Sequence, residues 1–196
     1  VSFALNGRPG LAEGTRLRIL AVAAELGWRP SARARSLAAA RAFALGLVVA
    51  RPPELLGSDP FFPGFIAGVE TVLAERGHSL VLQVVTDPAA EAAGYRRLHA
   101  DGRVDGVILT DLRPDDPRIP LVAGLRLPAV TLNRPDVPSP FPAVCCDDTA
   151  GIRSAVAHLV AAGHTRIAHV AGPATYLHAG RRRAAAIWCT PGAPTG

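Results

Sequence analysis

Side chains of the types that commonly bind small polar molecules follow several of the apolar segments that are predicted to be strands. In open parallel sheets, ligands lie outside the carboxyl ends of the strands. Aromatic rings stack on the apolar faces of sugars and bases, and polar side chains bind their hydroxyl groups. The pattern predicts a sugar or nucleoside site, although polar side chains that simply populate loops would look the same. The residues at these strand ends are Asp59, Phe61, Phe62, Thr86, Asp87, Asp111, Asn133 and Arg134.

Motifs of the common catalytic and cofactor sites are missing from the sequence. No Gly-x-Gly-x-x-Gly follows the first predicted strand, and a phosphate-binding loop needs a lysine, which the chain lacks. There is no Gly-x-Ser-x-Gly elbow, and the six histidines lack metal-ligand spacing. Asp111, Asp115 and Asp116 could form a carboxylate pair, but a solvated loop is favoured. The chain is therefore predicted to be a binding protein, not an enzyme, with no cofactor and no metal.

Positive charge is concentrated at the beginning of the chain. All 21 basic residues are arginines, and residues 1–41 contain seven of them against two glutamates. Residues 42–196 contain fourteen arginines and fourteen acidic residues, so the net charge of +5 belongs to the first segment. This asymmetry indicates a polyanion, above all nucleic acid, as the partner of that segment. An arginine-rich solvated surface is the alternative.

Length and composition place the chain among folded globular proteins. It has 196 residues, an apolar fraction of 49% and a mean hydropathy of +0.24. The apolar run AFALGLVVA is too short to span a bilayer, and no signal peptide opens the sequence. A cytoplasmic location without membrane contact is therefore expected. Two of the three cysteines, Cys145 and Cys146, are adjacent and are predicted to be small core residues on a strand.

Hydrophobic periodicity divides the chain into two regimes. Residues 1–41 are predicted to form short helices, and the rest alternates between apolar strands and amphipathic helices. Continuous apolar strands separated by helices predict an α/β fold with a doubly wound parallel sheet. A last helix begins near residue 178, and periodicity ends after residue 186. The predicted strands are 43–50, 79–85, 104–110, 127–133, 142–147 and 166–172, and the predicted helices between them are 63–77, 89–102, 116–126 and 149–163.

Several segments resemble the LacI/GalR family of repressors. The resemblance rests on VSFALNGRPG, AELGWRPSARARSL and GHTRIAHVAGP, whose order and spacing match the family along residues 1 to about 186. It implies the first lobe of a periplasmic-binding-protein-like core, preceded by a partial helix-turn-helix head and a hinge helix. The implied domains are a head at 1–28, a hinge helix and linker at 29–42, an N-terminal lobe at 43–172, and the start of a second lobe at 173–196 with an aberrant tail expected to be disordered.

The resemblance also assigns residues to DNA contacts. Residues 1–6 look like the second half of a recognition helix, and residues 29–41 look like the hinge helix, which enters the minor groove. An apolar side chain inserted there, at the position of Leu37, bends the duplex. A core contact of Leu37 at the linker is the alternative. The residues implied to contact DNA are Ser2, Phe3, Asn6, Thr15, Arg33, Arg35, Ser36 and Leu37.

Effector-binding positions follow from the same resemblance together with the strand-end pattern. Phe62 and Arg182 match positions that line the effector cleft, and Asp147 matches a family aspartate after the fifth strand. An arginine at the position of Arg182 would bind sugar hydroxyls or a carboxylate. The predicted effector-binding residues are Phe61, Phe62, Asp111, Arg134, Asp147 and Arg182.

Departures from the family pattern shape the functional prediction. The head's first helix and turn have no counterpart before Val1, and the second lobe has none after Ala186, so a chain truncated at both ends is expected. Ala12 stands where the family has a helix-capping residue, a loss of about 1 kcal/mol. The prediction is a DNA-binding transcription regulator, a repressor controlled by a sugar-like effector, which in intact relatives binds operator DNA as a homodimer. A soluble sugar-binding module without DNA binding is the alternative.

Overall fold

The computed structural model describes residue 4 and residues 9–28, 36–37 and 39–189, with only the backbone given for 188 and 189. The chain divides into two units, Val1–Phe43 and Ala44–Gly196, which are described separately. The predictions for Ser2, Phe3, Asn6, Arg33, Arg35 and the tail at 190–196 lie outside the described residues.

The first unit contains helix α1, Glu13–Glu25, as the sequence predicts. Ala12 occupies the N-cap position of α1, where its methyl side chain offers no acceptor for the backbone N–H groups of the first turn. No residue of α1, which is described throughout, is buried, and Leu17 and Val22 are more than half exposed. Glu13 and Arg16 form an ion pair at 3.1 Å on the surface of α1. Exposed ion pairs of this kind contribute little to stability. Packing within the described part of this unit therefore stabilises α1 only weakly.

The second unit is an α/β layer whose elements alternate along the chain. Because apolar runs of four to seven residues are followed by amphipathic stretches, strands and helices succeed one another. In chain order the elements are β1 (Ala44–Ala50), α2 (Pro53–Ser58), α3 (Phe61–Glu75), β2 (Ser79–Val85), α4 (Pro88–Ala100), β3 (Gly106–Leu109), α5 (Arg118–Gly124), β4 (Ala129–Leu132), β5 (Ala143–Val144), α6 (Asp148–Ala161) and α7 (Leu177–Cys189).

The strands among the described residues form one parallel sheet in the order β2-β1-β3-β4-β5. Leu47 in β1 is aligned with Leu82 of β2 on one side and with Ile108 of β3 on the other. Parallel pairing brings the carboxyl ends of all these strands to the same edge. This confirms the predicted doubly wound α/β fold.

Side chains of β1 alternate between two helical layers. Leu47 and Val49 are buried in a cluster with Phe62 of α3, whereas Val48 points to the opposite face, where it contacts α4 beneath Gly94. The alternation explains why every position from Leu47 to Val49 is apolar, since both faces of β1 are covered.

Gly106, in the segment VDGVIL, lies where two strands approach closely. A Cβ atom at this position would lie 3.0 Å from the carbonyl oxygen of Pro128, which is backbone and cannot move aside alone. We expect Gly106→Ala to lower the free energy of unfolding by about 1–3 kcal/mol through overpacking. In a protein of this size, thermal unfolding followed by circular dichroism should shift by about 2–4 °C for each kcal/mol.

Gly151 provides the matched control for that substitution. It lies in α6, and a Cβ atom there would meet nothing within 4 Å. Gly151→Ala is expected to raise stability by up to about 1 kcal/mol, because alanine favours the helix. Equal melting temperatures for the two variants would show that the β3–β4 contact does not require glycine.

Two local predictions are wrong. Residues 166–172, all of them described, form no strand, and Val170 is 95% exposed. A strand needs a neighbour for its backbone groups, and the described sheet ends at the two-residue strand β5. Cys145 and Cys146 follow β5 and are exposed, so they are not core residues of a strand.

Two helices also differ from the pattern. The sequence did not predict α2, whose six residues are too few for a periodicity to emerge. Helix α7 continues to Cys189, beyond the point near residue 186 at which the periodicity ends.

Candidate functional site

An ion pair joins the carboxyl ends of the two central strands. Arg51 directly follows β1, and Asp111 lies two residues after β3. Arg51 Nε and Nη2 donate to the two carboxylate oxygens of Asp111 at 2.7 and 2.8 Å. Arg51 Nη1 lies 3.4 Å from Asp59. Burial lowers the pKa of Arg51, but the hydrogen bond and charge of Asp111 outweigh it and hold that pKa above its ordinary value.

Aromatic rings surround the same guanidinium group. The Arg51 Cζ atom lies 5.2 Å from the ring centre of Phe62 and 4.9 Å from that of Tyr176. Cations are attracted to ring faces at such distances. Phe62 itself is fully buried, so its ring is not accessible from solvent. The neighbouring Phe61 is 45% exposed and stacks on Phe65 at 5.5 Å.

The backbone at Asp111 is held in an unusual conformation. Its φ angle is +51°, a left-handed value that costs energy for a residue other than glycine. Arg118 Nη2 donates to the carbonyl oxygen of Asp111 at 3.0 Å, and Leu177 N–H donates to the next carbonyl, that of Leu112, at 2.8 Å. These bonds fix the loop after β3 and tie it to the segment that carries Tyr176.

A buried charge network lies beneath this loop. Arg118 is only 3% exposed and forms ion pairs with Glu91 at 2.7 Å and with Asp116 at 2.6 Å. Arg113 is the second partner of Glu91. Burial raises the pKa of Asp116, but the hydrogen bond and charge of Arg118 lower it below its ordinary value. The predicted solvated loop is therefore wrong for Asp116, which is buried because Arg118 neutralises it.

A small space opens between this network and the ion pair. It is bordered by Thr110, Asp111, Arg113 and Tyr176 and has a volume of about 10 Å³, enough for one water-sized group. Thr110 Oγ1 and Arg113 Nε are buried and have no hydrogen-bond partner among the described residues. Such groups bind a hydroxyl group or water readily, because leaving them unpaired is costly.

A second ion pair connects α6 to α7. Arg182 Nε lies 2.7 Å and Nη2 2.6 Å from Asp148 Oδ1. His178, one turn before Arg182, is half-buried, and the charges of Asp111, Arg182, Asp148 and Arg51 all act on its ring. Burial lowers the pKa of His178 below its ordinary value of 6.5, so the ring is neutral at pH 7. His178 stacks on Tyr176 at 5.6 Å, and Tyr176 lies over the Arg51 guanidinium at 4.9 Å, so the two rings connect α7 to the first ion pair.

The predicted effector residues have different surroundings. Phe62 and Asp111 meet at Arg51, with Phe61 beside them. The other three make different contacts. Asp147 accepts from the Ala150 N–H at 2.8 Å and caps α6, and Arg182 binds Asp148. The carbonyl oxygen of Arg134 accepts from Arg181 at 2.7 Å.

Sequence reasoning missed Arg51, Tyr176 and His178. Arg51 follows the first strand directly, so the rule that selected Asp59 could also have selected it. No comparable signal marked Tyr176, which lies between elements, or His178, which is the second residue of α7. The contact of Tyr176 with Arg51 arises only in the fold.

Three of the predicted DNA-contacting residues are described. Thr15 is exposed in the first turn of α1, and Ser36 and Leu37 are helical. Leu37 is 86% exposed, which argues against the core contact considered for it.

Neither a metal-binding cluster nor a membrane-spanning helix is found among the described residues. In the described part of the chain, no three His, Cys, Asp or Glu side chains are grouped so that they could hold a metal ion. None of the described helices is both long and apolar enough to cross a membrane.

Comparison with known proteins shows the family. Residues 42–193 match the profile of the periplasmic binding proteins and sugar-binding domains of the LacI family. The chain belongs to the LacI/GalR family. Within it, the HTH-type transcriptional regulator AglR of Rhizobium meliloti is 38% identical over 186 residues, which cover 93% of this chain and 51% of AglR. The regulator CelR of Thermobifida fusca is 34% identical over 178 residues, which cover 88% of this chain and 51% of CelR.

Solved structures of LacI/GalR proteins have the same fold. A complex of the transcriptional regulator CelR with cellobiose superposes with a TM-score of 0.66 at 30% identity, covering 96% of this chain and 55% of that one. The lac repressor dimer bound to operator and the anti-inducer ONPF superposes with a TM-score of 0.78 at 26% identity, covering 96% and 56%. The chain thus spans about half the length of these relatives, which are transcriptional regulators rather than enzymes.

Proposed function

We propose that this chain is part of a DNA-binding transcription regulator that acts as a repressor and is controlled by a sugar-like effector. The observation that carries the proposal is the cluster of Arg51, Asp111 and Tyr176 at the carboxyl ends of the strands, in a chain of the LacI/GalR family. Its operator would be bound by a homodimer, as in the lac repressor structure with operator.

The effector part rests on the chemistry of the cluster. Half-exposed Phe61 and half-buried Tyr176 offer ring faces, and the carboxylates of Asp59 and Asp111 lie beside Arg51. The buried Thr110 hydroxyl has no hydrogen-bond partner among the described residues. Rings with a few converging polar groups are typical of sugar sites. A relative, CelR, is seen in complex with cellobiose, which supports a sugar as the ligand class.

The DNA part rests on the first unit. Its net charge of +5 favours a polyanion, and the exposed Leu37 is suited to insertion between base pairs. Effector binding at one site and DNA binding at the other would be coupled by linkage.

Salt dependence of DNA binding tests this proposal. Residues 29–41 contain Arg29, Arg33, Arg35 and Arg41. Four phosphate contacts would give a slope of about −3.6 for log affinity against log salt concentration, because each contact releases counterions. The measurement is fluorescence anisotropy with labelled duplex DNA at several salt concentrations.

Leu37→Ala separates groove insertion from charge. It should weaken binding to DNA without changing the salt slope, since no charge is lost. A flat salt response, or unchanged affinity in Leu37→Ala, would contradict DNA binding by residues 29–41. Sugar binding without any DNA binding would favour the alternative, a soluble sugar-binding module.

A further inference from the structure

We propose that the space beneath the loop after β3 is the binding site of one fixed water molecule, which bridges Thr110 Oγ1 to Arg113 Nε. The space has a volume of about 10 Å³, which is room for a single water molecule. The inference concerns the chain without effector or DNA, so it does not depend on the proposed function. It gives the bridging water a role in holding the loop.

Thr110 contributes a buried hydroxyl group to this site. The residue directly follows β3 and is 1% exposed, and its Oγ1 atom has no hydrogen-bond partner among the described residues. Buried polar groups of native proteins are nearly always hydrogen-bonded, either to protein or to ordered water. Because Thr110 borders the space, a water molecule there can supply the partner.

Arg113 contributes a donor whose position is fixed. The residue borders the same space, and its Nε atom is buried without a partner among the described residues. Its Nη2 atom donates to Glu91, and its backbone N–H donates to Asp116 at 3.0 Å. The side chain therefore cannot turn toward another acceptor without breaking the ion pair with Glu91. The acceptor for Nε has to enter the space, and a water molecule is small enough to do so.

The charges around the space favour a neutral occupant. Two carboxylates and two guanidinium groups border it and balance one another, those of Glu91, Asp111, Arg113 and Arg118. A small anion would approach the two carboxylates, and a small cation would meet Nε–H groups, which only donate. A water molecule accepts from Arg113 and also exchanges a hydrogen bond with the Thr110 hydroxyl, which both donates and accepts. Charge and hydrogen bonding therefore select water over an ion.

The bridge spans the strained part of the loop. Asp111, whose φ is +51°, lies between the two bridged residues, and its carbonyl oxygen accepts from Arg118. The Leu112 carbonyl oxygen accepts from the Leu177 N–H. A strained backbone conformation persists only where its surroundings fix it. With the water in place, all four residues at 110–113 are held by hydrogen bonds, so the water positions the loop.

Thr110→Val tests the bridge by the sign of its effect on stability. Valine replaces the hydroxyl group by a methyl group of similar size. If the hydroxyl group is unpaired, its removal raises stability, because a buried polar atom without a partner is costly. If it binds water, the substitution removes one end of the bridge. We expect the melting temperature, followed by circular dichroism, to fall by about 2–4 °C.

Oxygen-17 magnetic relaxation dispersion counts the water molecules that stay bound for longer than the protein takes to tumble. We expect the Thr110→Val chain to hold one fewer such molecule than the wild-type chain, and Thr110→Ser, which keeps the hydroxyl group, to hold the same number. Thr131→Val is the matched control. Thr131 lies in β4 and is fully buried, but its Oγ1 donates directly to the Pro142 carbonyl oxygen at 3.5 Å, so its loss should leave the number unchanged.

A high-resolution crystal structure of the wild-type chain locates the molecule. We expect an ordered water within about 3.2 Å of both Thr110 Oγ1 and Arg113 Nε. Crystals grown in bromide distinguish water from an anion, because bromide scatters anomalously. Anomalous density at this position would overturn the assignment of water.

Three other results would also overturn the inference. They are a space without ordered density, equal numbers of bound water molecules in wild type and Thr110→Val, and a higher melting temperature in Thr110→Val. If Thr110→Val does not fold, Arg113→Lys replaces it, because lysine keeps a cation for Glu91 but has no Nε–H group. Arg113→Lys should likewise lose one bound water molecule, and an unchanged number would count against the bridge.

Discussion

Arg118→Met is expected to lower the free energy of unfolding by about 3–5 kcal/mol. Arg118 is 3% exposed and is bound to Glu91 at 2.7 Å, to Asp116 at 2.6 Å and to the Asp111 carbonyl at 3.0 Å. Methionine fills much of the same volume but leaves two buried carboxylates without this cation. The cost arises from those carboxylates and not from a cavity.

Urea-induced unfolding measures this effect, and Arg96 provides the control. Arg96 lies on α4, the helix that also carries Glu91, and is exposed. Arg96→Met should change the free energy of unfolding by no more than about 0.5 kcal/mol. A comparable loss in both variants would mean that the buried network does not carry the stability assigned to it.

Lowering the pH should reduce the loss in the free energy of unfolding that Arg118→Met causes. In the wild-type chain the pKa of Asp116 is below its ordinary value of 3.8, mainly because Arg118 outweighs burial. The stability that this lowered pKa contributes is present above pH 3.8 and is lost as the pH falls through the lowered pKa. Without Arg118, burial dominates and raises the pKa of Asp116. As the pH falls, Asp116 is therefore protonated in the variant before it is protonated in the wild type, and the cost of the unpaired buried charge disappears. The difference between variant and wild type should therefore be smaller at pH 4 than at pH 7.

Phe62→Ala is expected to cost about 3–5 kcal/mol, the range for truncating a buried phenylalanine. Phe62 is fully buried with Leu47, Val49 and Ile108, and its ring also faces the Arg51 guanidinium at 5.2 Å. The substitution therefore opens a cavity in the core and removes a ring contact of the ion-paired arginine at the same time. Chemical denaturation with the two-state analysis gives the magnitude.

Two further variants separate these contributions. Phe61→Ala should cost less than half as much, because the Phe61 side chain is 45% exposed although it is the adjacent residue of α3. Phe62→Leu keeps most of the core volume and should cost roughly 1–1.5 kcal/mol, of which about 0.5–1 kcal/mol belongs to the lost ring contact with Arg51. Equal losses in Phe61→Ala and Phe62→Ala would contradict the assignment of Phe62 to the core.

The sequence by itself determined the class of the fold and selected the edge of the sheet at which the candidate site lies. Apolar runs such as Leu47–Val49 must be buried on both faces, and this requires a parallel sheet with helices on each side. Asp111 follows β3 and Phe62 follows β1, so the rule for carboxyl ends selected both. The concentration of arginine before β1 predicts a polyanion partner, and the family resemblance implies that this partner is DNA.

Only the tertiary structure decided which side chains meet and which are buried. Arg51 and Asp111 are 60 residues apart, and their pairing depends on the strand order β1-β3, which no local pattern encodes. Asp116 looked like a loop residue because burial of a carboxylate depends on a cation supplied in the fold, here Arg118. Residues 166–172 have the composition of a strand but form none, since a strand exists only where a neighbouring backbone pairs with it. Periodicity reports how each element is built, whereas pairing across the fold depends on contacts between residues far apart in the chain.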